Sequence, residues 1–156
     1  MTNINIKKHM IISEEIFFSQ TAVKIVTVLG SAVAVTIFDR VKLIGGLVHF
    51  LEPEWNGIGL KSCRYGDVGT FDLINRFIET GSKREDLIAN IIGGATLGTP
   101  ITGNLPIGLK NVQSAKKVLD QEHIAIDHVE VGKEIGRYLS FNTATGEIQI
   151  KQQKKS

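Results

Sequence analysis

The side chains best suited to covalent or acid–base chemistry in this 156-residue chain are one cysteine and four histidines. An imidazole with an unperturbed pKa of about 6.5 can accept and return a proton near neutral pH. His49 lies near the end of an apolar run, residues 42–50, that contains Gly45-Gly46. Because a lone histidine at a strand end is more often a buried structural side chain, His49 needs a second argument before it is a candidate base.

Cys63 is the only thiol of the chain. A nucleophilic thiol needs neighbours that lower its pKa, and Arg64 is the only adjacent residue of that kind. We therefore predict a loop cysteine without a catalytic role. One cysteine also excludes an internal disulfide and a multi-cysteine zinc site, which favours a reducing compartment, with the cytoplasm as the default.

Two other motifs suggest a ligand only at first sight. Gly93-Gly94-Ala95 lacks the glycine spacing and the lysine of a phosphate-binding loop, so we expect backbone packing beside the active site there. His123 and His128 lie in or near a strand at a spacing that puts them on opposite faces. We expect neither a metal site nor a cofactor.

Length and composition are those of one globular domain. The chain is 42% hydrophobic and 22% charged, and its length suffices for a buried core. We predict a single domain over residues 1–156, with residues 151–156 as a disordered tail. The net charge is only +2, and its excess lysines lie mostly at the two ends of the chain, without the basic face that nucleic-acid binding needs.

Charged residues interrupt every apolar stretch that could enter a membrane. Residues 13–15 break the apolar core that a signal peptide would need. Lys24, Asp39 and Lys42 divide the most apolar region, which stays below the ~20 residues of a membrane helix. We expect neither membrane insertion nor a nucleic-acid partner.

The first half of the chain predicts strands. Two β-branched apolar runs, residues 22–28 and 33–38, flank Leu29-Gly30-Ser31 and predict buried strands joined by a tight turn. Residues 42–50 predict a third strand, in which Gly45-Gly46 indicates a bulge or a close backbone approach. One sheet containing all three strands is the simplest account.

The second half predicts two helices among further strands. Val68, Phe71, Ile74 and Ile78 follow helical spacing up to a stop at Gly81. A second amphipathic helix opens near residue 111. Strands are predicted over residues 87–92, 124–131, 137–141 and 147–150, the last two as a hairpin, and loops over residues 54–66 and 96–106. Strands dominate this mixed α/β (α+β) pattern.

Several blocks resemble one known family in the right order. The segment Thr27–Val35 reads Thr-Val-Leu-Gly-Ser-Ala-Val-Ala-Val and, with Asp39, resembles the Leu-Gly-Ser-Cys-Val-Ala-Val signature of the CheD family, with one substitution. Gly-Gly-Leu-Val-His-Phe at residues 45–50 resembles that family's Gly-Gly-Met-Asn-His-Phe block. Arg-Tyr-Gly-Asp at residues 64–67 resembles the start of its first long helix. The resemblance covers roughly residues 20–150.

The resemblance implies both a fold and an activity. CheD proteins are chemoreceptor glutamine deamidases with a layered β-sandwich flanked by two or three helices, similar to bacterial toxin deamidases. Their reaction is an acyl transfer in which a cysteine attacks the amide, a histidine moves the proton and a threonine assists. The implied partners are methyl-accepting chemoreceptors as substrate and a CheC-type phosphatase, in the cytoplasm.

The same resemblance assigns the site residues. His49 corresponds to the histidine, and Ala32 occupies the position of the nucleophilic cysteine. Thr27 corresponds to the threonine in one register and Val26 occupies its place in the other, so both registers stay open. The expected neighbourhood of the substrate and its oxyanion is Ser31, Gly30, Gly93 and Gly94.

Ala32 is the decisive departure from the family pattern. A methyl group has no lone pair with which to attack a carbonyl, and Ser31 would point to the opposite face of an extended segment. We therefore predict an inactive chain, through either deliberate replacement of the nucleophile or natural loss that leaves a binding module. The intact His49 block favours replacement, whereas Val48 in place of a frequent asparagine and Lys133 in place of a glycine favour natural drift.

A weaker alternative is an unrelated hydrolase or ligand-binding α/β domain that shares turn glycines by coincidence. It predicts that positions 32 and 49 do not share a pocket.

Overall fold

The computed structural model of the chain describes residues 6–96 and 105–153. In chain order, the strands in these ranges are β1 Lys7–Ile11, β2 Glu15–Ser19, β3 Val23–Leu29, β4 Val33–Asp39, β5 Ile44–Phe50, β6 Leu87–Gly93, β7 Ala125–Val131, β8 Arg137–Asn142 and β9 Ile148–Gln152. The helices are α1 Gly66–Glu79, α2 Ile107–Gln121 and a short 3₁₀ helix, Arg84–Asp86. Neither α-helix of these ranges is long and apolar enough to cross a membrane.

The strands form two sheets. The four-stranded sheet has the order β1-β3-β8-β9 and the five-stranded sheet the order β2-β5-β4-β6-β7. Strand β1 runs parallel to β3 and β7 runs parallel to β6, whereas the other neighbours are antiparallel.

The four-stranded sheet, the five-stranded sheet and the helices form three layers. The central strand β4 contributes side chains to the apolar cluster on each side of it. Ala34 and Phe38 join the apolar cluster between the two sheets. Val33, Val35 and Ile37 face the other way and join the cluster under α1 and α2. This layered α+β sandwich with two flanking helices confirms the predicted fold class.

The prediction that β3 and β4 share a sheet is wrong. Strand β3 pairs with β1 and β8, whereas β4 pairs with β5 and β6. The turn Gly30–Ala32 carries the chain from one sheet to the other, and its carbonyl groups at Gly30 and Ala32 accept the N–H groups of Ala95 and Gly94. A short glycine turn is compatible with a hairpin or a sheet crossing, so local sequence does not distinguish the two.

The first and last described segments contain more strand than predicted. Strands β1 and β2 were not predicted, and the exposed Lys7 and Lys8 pair through their backbone with β3. Strand β9 continues through Lys151 and Gln152, which pair with β8. The tail prediction is therefore wrong for these two residues, because a free strand edge was available to extend, and residues 154–156 lie outside the described residues.

The start of one helix also differs from the prediction. Helix α2 begins at Ile107 rather than near Asn111, and Gly108 in its first turn packs against the loop after β6. Of the predicted loop over residues 96–106, residues 97–104 lie outside the described residues.

Candidate active site

His49 lies near the end of β5 and faces the interior between the sheets. It pairs directly with Ala34 on β4, and its side chain is buried. Side chains alternate along a strand, so His49 points to the same side as Leu47, which belongs to the cluster between the sheets. A polar ring in this apolar space needs a specific partner.

That partner is Thr27, on β3 of the opposite sheet. The Thr27 Oγ1 atom lies 2.9 Å from His49 Nδ1 and 2.8 Å from the carbonyl oxygen of Ile11. Because a carbonyl can only accept, the single hydroxyl hydrogen goes to Ile11, and the Thr27 oxygen accepts the Nδ1–H group of His49. This tautomer leaves a lone pair on Nε2, as a general base requires.

Of the two open registers, the geometry brings Thr27 and not Val26 to the imidazole. Val26 lies one residue earlier and faces the outer side of the four-stranded sheet, where it lines a groove with Met10 and Val28.

Burial keeps the imidazole uncharged. It lowers the pKa of His49 from 6.5 to about 4, and the negative charge of Glu15 opposes this in part. Glu15 pairs with His49 across β2 and β5, and its Oε2 atom lies 2.6 Å from Nε2 of His9. At neutral pH the ring is therefore uncharged and carries its lone pair on Nε2.

Ala32 lies on the same side of the five-stranded sheet as His49. It directly precedes β4 and packs against the apolar cluster between the sheets, as Ala34 does. Because Ala34 pairs with His49, position 32 is its diagonal neighbour, at a separation of roughly 7–8 Å between backbones. Positions 32 and 49 therefore lie on one face of the sheet, as a shared site requires.

The expected glycine neighbours hold the backbone of residue 32. The N–H group of Gly94 donates to the Ala32 carbonyl at 2.9 Å, and that of Ala95 donates to the Gly30 carbonyl at 2.9 Å. A Cβ atom at Gly93, where φ is +112°, would lie 2.4 Å from the Ala32 oxygen, so only glycine fits. The N–H group of Gly94 is thus committed to the backbone and not free to bind an oxyanion.

Sequence reasoning did not assign a role to Arg137, which donates a hydrogen bond to the backbone at Gly93. Its guanidinium is fully buried and donates to the carbonyl oxygens of Gly93 at 3.3 Å and Gly132 at 3.0 Å, and to Glu130 Oε2 at 3.1 Å. The available signal was a charged residue at an inward position of an alternating strand, because such a residue is rarely buried without partners.

The remaining nucleophile and metal candidates lie elsewhere. Cys63 packs against the cluster under the helices, on the other side of the five-stranded sheet from His49. Burial, with a smaller contribution from Glu14, raises the pKa of its thiol, which opposes nucleophilic reactivity. Within residues 6–96 and 105–153, no three His, Cys, Asp or Glu side chains converge to hold a metal ion.

Comparison with known proteins shows the family to which the chain belongs. The family model described as CheD chemotactic sensory transduction matches residues 52–152. A protein of Trichlorobacter lovleyi named "Probable chemoreceptor glutamine deamidase CheD" is 36% identical over 81% of this chain and 79% of its own length. A protein of the same name from Sulfurimonas denitrificans is 34% identical over 96% of this chain and 97% of its own length.

Among solved structures, the Bacillus licheniformis hypothetical protein YfiH matches with a TM-score of 0.40 at 14% identity, over 70% of this chain and 49% of its own. This similarity is too remote to inform the fold or the chemistry.

Proposed function

Since this chain belongs to the CheD family of chemotactic sensory transduction proteins, we propose that it is a chemoreceptor glutamine deamidase scaffold whose nucleophile position is occupied by Ala32. The observation that carries the proposal is the Thr27–His49 hydrogen bond, which presents a neutral, correctly protonated imidazole beside position 32. The activity is that of a protein-glutamine glutaminase, and its substrate is a glutamine side chain of a chemoreceptor.

With a cysteine at position 32, the site has a nucleophile and a base for acyl transfer. Nε2 of His49 takes the thiol proton, and the sulfur bonds to the carboxamide carbon to form a tetrahedral intermediate. When the C–N bond breaks, the imidazolium returns the proton to the departing ammonia. The same nitrogen then removes a proton from water, whose oxygen attacks the thioester. As the C–S bond breaks and glutamate is released, the imidazolium returns this proton to the sulfur and the thiol is regenerated.

With alanine at position 32 the first bond cannot form. The methyl group has neither a lone pair nor a removable proton, and burial keeps His49 from substituting as a charged catalyst. The parent chain should therefore release no ammonia.

The test is Ala32→Cys, assayed by ammonia release and by the mass change of one glutamine to glutamate in a chemoreceptor cytoplasmic fragment. We expect turnover from Ala32→Cys and none from the parent chain or from the double variant Ala32→Cys/His49→Asn. Thr27→Val in the restored background should lower kcat by roughly 10²-fold, the usual effect of a misplaced base. A folded Ala32→Cys protein without turnover would overturn the proposal.

Cys63 provides a further control. Cys63→Ser should leave the restored activity unchanged, because the thiol lies on the helix side of the five-stranded sheet. If iodoacetamide labelled Cys63 rapidly at neutral pH and abolished turnover in parallel, the assignment of position 32 would be wrong.

A second candidate function is favoured by Ala32 itself. A chain without the nucleophile can still bind, so the alternative is a non-catalytic module for chemoreceptors or for a CheC-type phosphatase. The native gene distinguishes the two: a cysteine codon at position 32 supports the enzyme, and an alanine codon supports the binding module. Titration calorimetry of the parent chain with each partner tests binding directly.

The cytoplasm is the location that we propose for either function. The lone Cys63, which can form no internal disulfide, and the cytoplasmic part of a chemoreceptor as substrate both support it.

A further inference from the structure

Asn111, on α2, contacts both halves of the candidate site. Its side chain is fully buried. The Nδ2 group donates one hydrogen bond to the Ser31 carbonyl at 3.0 Å and a second to the Leu51 carbonyl at 3.1 Å. Ser31 directly precedes position 32, and Leu51 follows His49 by two residues. One amide group thus joins the backbone that carries the nucleophile position to the backbone that carries the base.

This amide acts where the strand pairing ends. The β4–β5 pairing reaches its last pair at Val33 and Phe50. Beyond that pair, the Leu51 N–H group donates to the carbonyl of Arg64 instead of continuing the pairing. Asn111 therefore bridges the segment that leads into β4 and the segment that follows β5. It does so next to residue 32, where the pairing of the two strands has ended.

The orientation of the amide is unambiguous. A flipped Asn111 would place its oxygen against two carbonyl oxygens, neither of which can donate. In the orientation found, Oδ1 is buried and has no hydrogen-bond partner within the described part of the chain. The two hydrogen bonds that Nδ2 donates are therefore the polar contacts that the asparagine makes here.

We propose that Asn111 is a positioning residue that sets the separation between residue 32 and His49. The proposal rests on the proposed function, because the separation matters only if these positions exchange a proton. A base must lie within about 2.6–3.2 Å of the atom whose proton it removes. An error of about 1 Å in that geometry costs roughly 10²-fold in rate.

The experiment uses the full chain with Ala32→Cys and Cys63→Ser, so that position 32 holds the only thiol. The rate of alkylation by iodoacetamide is measured against pH, and its midpoint reports the pKa of the thiol at position 32. With a cysteine at position 32, the thiolate is stabilised by the imidazolium that forms when the thiol proton passes to Nε2 of His49. Asn111→Ala should therefore move this midpoint upward by about one pH unit, towards the value of about 8.5 for a free cysteine, because Nε2 no longer lies beside the sulfur. Deamidation should lose roughly 10²-fold in kcat with KM within about threefold.

Ser114→Ala is the matched control. Ser114 lies on the same helix, is buried, and donates its hydroxyl to the Pro53 carbonyl at 2.5 Å, also in the chain after β5. It does not contact the turn before residue 32 in any hydrogen bond of the described residues. Ser114→Ala should therefore lower stability without moving the alkylation midpoint, whereas Asn111→Ala should move both.

Two further variants keep the test decisive. Asn111→Asp preserves shape but places a carboxylate against both carbonyl groups, so it should shift the midpoint at least as far as Asn111→Ala. Asn111→Ser retains a small polar side chain. If the alanine variant does not fold, the alkylation midpoint and kcat are measured on Asn111→Ser instead. A folded variant with an unchanged midpoint and unchanged kcat would overturn the proposal. If Ala32→Cys/Cys63→Ser shows no deamidation, the proposed function fails, and the alkylation midpoint still tests Asn111.

Discussion

The hydroxyl of Thr27 determines how His49 can react. It donates its only hydrogen to the Ile11 carbonyl and so accepts from Nδ1 of the imidazole, which leaves Nε2 as the basic nitrogen. Three separate strands, β1, β3 and β5, thus contribute to the protonation state of one ring.

The buried, uncharged His49 should make the folded protein less stable as pH falls. Its pKa is about 4 in the folded protein, below the 6.5 of the unfolded chain, so the unfolded state takes up the proton first. This contribution is fully present above pH 6.5 and is lost as the pH falls towards 4, by up to about 3 kcal/mol. Urea denaturation between pH 7 and pH 4 measures the fall, and His49→Gln should flatten it. An equally steep fall in His49→Gln would assign the effect to other groups.

At the scale of elements, Gly45 and Gly46 permit the chain after β8 and helix α1 to pack closely against β5, the strand that carries His49. The β4–β5 pairing shows no register shift, so the predicted close approach holds and the predicted bulge does not. A Cβ atom at Gly45 would lie 2.8 Å from Thr143 Cα, and one at Gly46 would lie 2.8 Å from Leu73 Cδ1. The first contact belongs to the chain after β8, and the second belongs to α1.

Gly45→Ala should therefore destabilise the sandwich by about 1–3 kcal/mol, because the new methyl group meets backbone that cannot rotate away. Gly136→Ala is the control, since its Cβ would meet the end of the flexible Gln153 side chain at 2.5 Å and displace it at little cost. Urea unfolding of both variants provides the measurement. Equal stabilities would show that the layers separate more easily than the contact distances imply.

At the scale of the whole molecule, β4 joins two apolar cores. Every residue of β4 is buried, and its side chains enter alternately the cluster between the sheets and the cluster under the helices. Loss of either cluster exposes one face of the same strand. We therefore propose that the described residues, 6–96 and 105–153, belong to a single cooperative domain.

Cooperative unfolding predicts that two probes give the same transition. Fluorescence of Trp55, the only tryptophan, reports on the loop that is held to α1 through Asp67, and far-UV circular dichroism reports on all elements. Ile25→Val, in the cluster between the sheets, should lower both midpoints together by an amount that corresponds to about 0.5–1.5 kcal/mol. Separate transitions, or a shift in one probe alone, would indicate two folding units.

The amino-acid sequence by itself determined most of the elements, the family and the critical absence at position 32. Strands β3–β9 and both helices follow from alternation and helical spacing, which are properties of neighbouring residues. The ordered glycine and histidine blocks identified His49, and the chemistry of a methyl group follows from Ala32 alone. These inferences need no knowledge of which segments meet.

Only the tertiary structure decided which strands share a sheet, that Thr27 rather than Val26 meets His49, and that Asn111 joins the two halves of the site. Thr27 and His49 are 22 residues apart, and Asn111 and Ser31 are 80 apart. Local periodicity carries no information about such pairs, because they form only when separate segments pack against each other. The turn Gly30–Ala32 illustrates the limit, since the same residues could close a hairpin but instead cross between two sheets.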